Sequence, residues 1–185
     1  MYGLIFLFLF VVVPILYGIA VYNKLTKLKF QVEEGWSGID VQLRRRYNLI
    51  PNLVETVKGY ASHERETFEE VVQARNAAMA NDGPPEDQAE TENMLTGALR
   101  HLFALAENYP ELKANENFLS LQKDLYEVED EIQSARRYYN GTVRDNNTYV
   151  HQFPSNIIAR VFNFRTADFF EIEEEAARQP VPVKF

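Results

Sequence analysis

The chain contains no cysteine. That absence removes disulfide frameworks, thiolate zinc sites, iron–sulfur clusters and cysteine nucleophiles together. It leaves the compartment open, since reducing and oxidising compartments both hold cysteine-free proteins. Histidine is scarce too: His63, His101 and His151 are the only three, and none lies three or four residues from another. His63-Glu64 matches the first half of a zinc-protease motif, but Thr67 stands where the second histidine is required. Neither a Gly-rich phosphate loop nor a G-x-S-x-G elbow occurs. With no convergent acid, base and nucleophile, the expectation is a protein that is not an enzyme and uses no cofactor or metal. Glycine and proline, at 8 each in 185 residues, are too few for a collagen-like, low-complexity or largely disordered chain. The formal net charge of -8 speaks against nucleic acid as a partner.

Charge is also missing locally. From Met1 to Tyr22 there is no charged side chain, and Leu4 to Val13 is an unbroken apolar run. About 22 helical residues rise roughly 33 Å, enough for a hydrocarbon core of about 30 Å. A cleaved signal peptide is the alternative, but no basic segment precedes the run and no small-x-small site follows it. Pro14 is tolerable in a membrane helix, and Tyr17 and Tyr22 suit an interfacial belt. Lys24, Lys27 and Lys29 follow at once, which by the positive-inside rule places the rest of the chain in the cytoplasm, although a signal-anchor orientation stays open. These lysines set topology and touch anionic lipid headgroups. Residues 1–60 hold seven Lys or Arg against four acids, a net of +3; residues 61–185 hold the remaining 12 bases and 23 acids, a net of -11.

Beyond the anchor the apolar positions step by three and four: Trp36, Ile39, Leu43, Tyr47, Ile50, Val54, Val57, Ala61, then Phe68, Val71 and Ala78, with polar Glu64 and Arg75 interrupting. This stripe predicts one long amphipathic helix from the membrane to about Ala80. Pro51 removes a hydrogen bond and crowds the Tyr47 carbonyl, so a kink or break is expected there, with Asn48 and Asn52 available to satisfy the freed backbone. The segment NDGPPEDQAE, residues 81–90, reads as a loop. A second helix is carried by Leu95, Leu99, Leu102, Phe103 and Ala106. A third, capped by Asn115 or Asn117, carries the most regular seam: Phe118, Leu121, Leu125, Val128, Ile132, Ala135, Tyr139, Val143. The predicted fold class is all-α, a transmembrane helix followed by an antiparallel bundle of long helices. The expected division is an anchor over 1–23, a bundle over 24–160 and an acidic, proline-containing tail over 161–185. Coiled-coil pairing of part of these seams between chains is the alternative to a purely internal core.

Arg44, Arg45 and Arg46 fan out around a helix, so at least one is available to a partner. One reading has them bind an acidic surface of a neighbouring subunit such as Glu173, Glu174 and Glu175; the other is pairing with Asp40 plus solvation. Asn140-Gly141-Thr142 and Asn146-Asn147-Thr148 are glycosylation sequons in form, without meaning in a cytoplasmic domain.

Three blocks carry a resemblance. WSGIDVQLRRRYNLIPNLVETVKGYASHE (36–64), the series YPELKAN, NFLSLQKDL, ARRYYNGTVRDNN and FPSNIIA (109–159), and the terminal DFFE with its proline-bearing end resemble the LemA family, in order along essentially the whole chain. The resemblance implies a single-pass protein of the bacterial inner membrane with a cytoplasmic helical bundle. Members are not known as enzymes; some are encoded beside M48-type membrane zinc metalloproteases, and one relative belongs to the magnetosome membrane proteins. These associations imply a scaffold or accessory role at the membrane, and the aromatic seams with the missing active site favour a self-associating scaffold, a homo-oligomer that holds or regulates a membrane protease or other membrane protein. A membrane-shaping or lipid-organising protein is the alternative.

Overall fold

The computed structural model describes residues 2–171, with side chains from Phe8 onward. Six helices follow one another: α1 (Tyr2–Lys58), α2 (Arg65–Ala80), α3 (Pro85–Ala106), α4 (Pro110–Lys113), α5 (Glu116–His151) and α6 (Ser155–Val161). Among the described residues there is no strand, and the fold is all-α. The chain divides into two compact units, to each of which α1 and α5 contribute. One comprises the chain up to Val41 with Gln133–Phe169; the other comprises Gln42–Ile132 with Phe170.

In the first unit α1 and α5 run antiparallel. Val21 and Leu25 bury against Ala159, with Tyr149, Val150, Ile158 and Phe164 packed around them. Further along, Trp36 meets Tyr139 with ring centroids 5.4 Å apart. Gly35 permits this approach, since a Cβ there would lie 3.2 Å from the Tyr139 Cα. After α5 the chain turns sharply at Phe153-Pro154. The Ser155 hydroxyl lies within hydrogen-bonding distance of the Tyr149 and Gln152 carbonyls, at 2.6 and 2.8 Å. Helix α6 then returns onto α1, where Tyr22 packs edge-on against Phe162 (4.9 Å) and Phe164 (5.5 Å).

In the second unit α2 and α3 pack as a hairpin beside the end of α1 and the start of α5. The stripe read from sequence is buried at Ile39 in the first unit and, in the second, at Leu43, Tyr47, Ile50, Val54, Val57, Ala61, Phe68, Val71 and Ala78. The helix itself stops earlier than the stripe suggests. Ala61 is followed by six residues, Ser62 to Thr67, with no large apolar side chain. Here the chain leaves the helix through short bonds from Tyr60 and Ala61 to the Val57 carbonyl (3.0 and 2.9 Å) and restarts at Arg65. The loop after α2 is also shorter than expected: Pro85 occupies the first turn of α3, where its missing N–H has no helical partner to lose, and Glu86 and Asp87 complement the dipole. Of the two candidate caps for α5, Asn115 is used, its Oδ1 accepting from Phe118 N–H at 3.0 Å. The α5 seam is buried in this unit at Phe118, Leu125, Val128 and Ile132, with Leu121 half-buried, and in the first unit at Tyr139 and Val143, with Ala135 half-buried.

Candidate functional site

From Phe8 onward α1 is long and apolar enough to cross a membrane. Phe8, Phe10 and Leu16 are 63%, 69% and 60% exposed, so this stretch finds little cover within the chain. Lys24, Lys27 and Lys29 are exposed just beyond it, Lys29 at 3.7 Å from Glu33 one turn on. No loop intervenes between the apolar stretch and the packed helix, because α1 is unbroken.

The arginine triplet is split by the helix. Arg44 and Arg45 are exposed, whereas Arg46 is only 1% exposed. Its guanidinium pairs with Glu92 of α3, equally buried, and with Glu129 of α5 at 2.9 Å, while Thr96 Oγ1 lies 3.4 Å away. Tyr47 donates its hydroxyl to the other Glu92 oxygen. One cation, two carboxylates and a phenol thus tie α1, α3 and α5 together, with Arg46 Nε left without a partner. Removing one member of such a buried set strands a charge and costs about 3–5 kcal/mol. Since Glu92 is closed to solvent and both its oxygens are engaged, the cluster is a fastening rather than a reactive centre. Arg46 lies three residues after Leu43 and four before Ile50, and Glu92 three before Leu95; their positions on the apolar stripes were the signal in the sequence. Glu173, Glu174 and Glu175 lie outside the described residues.

At Pro51 the helix continues. The Tyr47 carbonyl, which loses its usual donor there, accepts a hydrogen bond from Arg75 Nε of α2 at 2.8 Å. Asn48 and Asn52 are exposed. Arg75, one of the two polar residues that interrupt the apolar stripe, is therefore the one that satisfies the proline-bearing helix.

A second set of polar side chains straps the chain beyond α6 onto α5. Asn147 pairs with both backbone groups of Ala167, accepting from its N–H at 2.9 Å and donating to its carbonyl at 2.8 Å. Asn146, 3% exposed, donates to the Arg165 carbonyl at 3.2 Å, and the Tyr139 hydroxyl donates to that of Asp168 at 2.8 Å. Burial, followed by the nearby Asp168 charge, pushes the Tyr139 phenol up to about 12. These residues come from the block YYNGTVRDNN, and the asparagines of its second sequon, Asn146 and Asn147, are thus given a structural use.

Among the described residues no group of three or more His, Asp or Glu side chains is placed to hold a metal; His101 faces Glu70 at the surface, 3.0 Å away. Several known proteins are similar in sequence along most of the chain. Magnetosome protein MamQ 2 of Paramagnetospirillum magneticum is 25% identical over 185 aligned residues, covering 86% of this chain and 68% of the relative. Protein LemA of Metamycoplasma hominis is 26% identical over 156 residues, covering 82% and 69%. Magnetosome protein MamQ of Magnetospirillum gryphiswaldense is 23% identical over 185 residues, covering 86% and 68%. None of these names denotes a catalysed reaction. The LemA family model matches residues 35–185, from the glycine at the α1–α5 contact through the arginine fastening and the asparagine strap, and the chain belongs to the LemA family.

Proposed function

We propose that this protein is a membrane-anchored, non-enzymatic helical scaffold of the bacterial inner membrane, which self-associates and holds or regulates a membrane partner, an M48-type metalloprotease being the candidate. The observation that carries the reading is the passage of α1 from an exposed apolar run directly into a packed helix, with no linker between. A flexible tether would leave the body free to tumble above the bilayer; a continuous helix fixes the part of the body built on it. Self-association is supported by Leu119 and Tyr126, seven residues apart on one face of α5 and 48% and 62% exposed.

Purification of the full chain in mild detergent, followed by mass photometry and identification of copurifying proteins, tests the proposal. The expected result is an assembly larger than a monomer that brings a membrane protein with it; a monomer with no copurifying protein sinks it. Exchange of Arg44 and Arg45 for glutamate, leaving Arg46 to its buried partners, is expected to leave particle size unchanged. A collapse to smaller particles would assign those two arginines to the interface between copies.

A further inference from the structure

Helix α6 covers the last two turns of the uncharged run. Ile158 Cδ1 lies 3.8 Å from where a Gly18 Cβ would stand, and Phe162 packs on Tyr22. The inward face of α6 is Ser155, Ile158 and Ala159. Its outward face is apolar: Ile157 and Val161, four residues apart, are 54% and 70% exposed, with Phe153 at 75% and Phe162 at 56% beside them. Three large apolar side chains thus stand uncovered, with the exposed side of Phe162 beside them, at the level where α1 passes from Gly18 to Lys24. Six residues of helix there rise roughly 9 Å.

Charge in the adjoining stretches of sequence is of one sign up to Glu33, which stands 3.7 Å from Lys29. No Asp or Glu occurs before Glu33, and none occurs between Asp145 and Asp168. The two stretches contribute Lys24, Lys27, Lys29, Arg160 and Arg165, all exposed, in a chain of net charge -8. Arg160 lines one shallow hollow with Phe153, Asn156, Ile157 and Val161. Its aliphatic stem can lie along apolar surface while its head reaches outward.

We propose that α6, with Phe153 and Phe162, is an interfacial wedge that lies in the headgroup–acyl boundary of the bilayer α1 crosses, with the five cations on anionic phosphate headgroups. The inference rests on the anchor reading of α1. Interfacial helices bury about 5–10 Å into that boundary, which is the depth that contact with Gly18 and Tyr22 gives α6. A second copy of this chain meeting the same face would bring a layer of the same charge against it, whereas anionic lipid supplies the opposite one.

The absence of native cysteine makes the test direct. Full-length I157C, V161C, L16C and S37C variants, each carrying an environment-sensitive fluorophore, are reconstituted into vesicles of phosphatidylcholine and phosphatidylglycerol with brominated acyl chains. Labels at 16, 157 and 161 are expected to be quenched at least about twofold more than the label at 37, which stands roughly 22 Å beyond Tyr22 along α1. Labels at 157 and 161 that behave like 37, while 16 is quenched, overturn the wedge and leave the anchor standing. Blue-shifted but unquenched emission at 157 and 161 assigns the face to protein and also overturns it. Loss of quenching at 16 overturns the anchor and the wedge together.

Discussion

Proline in a helix interior normally costs about 3 kcal/mol, through a lost hydrogen bond and a crowded carbonyl. At Pro51 the lost bond is replaced by a side chain 24 positions later in the sequence: Arg75 Nε reaches the Tyr47 carbonyl. This makes the two residues a coupled pair. Arg75→Met should destabilise the protein by about 1–3 kcal/mol, the cost of a buried unsatisfied carbonyl. In a Pro51→Ala background the same change should cost at least about 1 kcal/mol less, because the N–H restored at position 51 takes the carbonyl. Thermal unfolding of the full chain and its variants in mild detergent measures this coupling; equal costs in the two backgrounds would show that Arg75 acts elsewhere. Sequence periodicity places Arg75 and Arg46 on apolar stripes, and in both cases the misfit residue turns out to be partnered. What periodicity cannot supply is the partner, since Glu92, Glu129 and the Tyr47 carbonyl reach these arginines only once separate helices are docked. An arginine triplet therefore reads as charges open to an acidic partner or to Asp40 and solvent, although Arg46 is a core residue.

At the scale of elements, the α1–α5 contact depends on a glycine whose freedom lies in size rather than in backbone angle. A Cβ at Gly35 would meet the Tyr139 backbone at 3.2 Å, whereas nothing lies within 4 Å of one at Gly38, one turn later in the same helix. Gly35→Leu is expected to destabilise by about 1–3 kcal/mol through overpacking, and Gly38→Ala to stabilise by about 0.5–1 kcal/mol through helix propensity. Opposite shifts of the unfolding midpoint in detergent check the pair; a stabilising Gly35→Leu would mean that the helices do not approach at this point. The apolar steps of α1 and α5 were fully legible, because three-and-four spacing is a direct image of a buried helical face. Helix ends were not. The steps resume at Phe68 after a polar gap, which conceals the stop at Lys58, and Pro85 reads as a breaker although it is favourable in a first turn. The asparagine strap was the least legible, since hydrogen bonds from Asn146 and Asn147 to backbone groups about twenty residues later leave no periodic trace.

At the scale of the whole molecule, the charge asymmetry gives a topology that can be tested. The proposed orientation, argued from Lys24, Lys27 and Lys29 by the positive-inside rule, would put Ser37 in the cytoplasm. In intact cells the S37C variant should resist a membrane-impermeant maleimide and react after permeabilisation; labelling of intact cells would reverse the orientation. The antiparallel pairing of α1 with α5 also has a consequence during synthesis. Gly35 leaves the ribosome about a hundred residues before Tyr139, a delay of roughly 5–20 s at about 5–20 residues per second. For that interval the apolar side chains at Val21 and Leu25 lack the α5 and α6 residues that will cover them, while the apolar run upstream is already competent to enter a bilayer. Early insertion would confine this exposed face beside lipid and away from other nascent chains, so that the order of emergence from the ribosome itself protects the protein from aggregation.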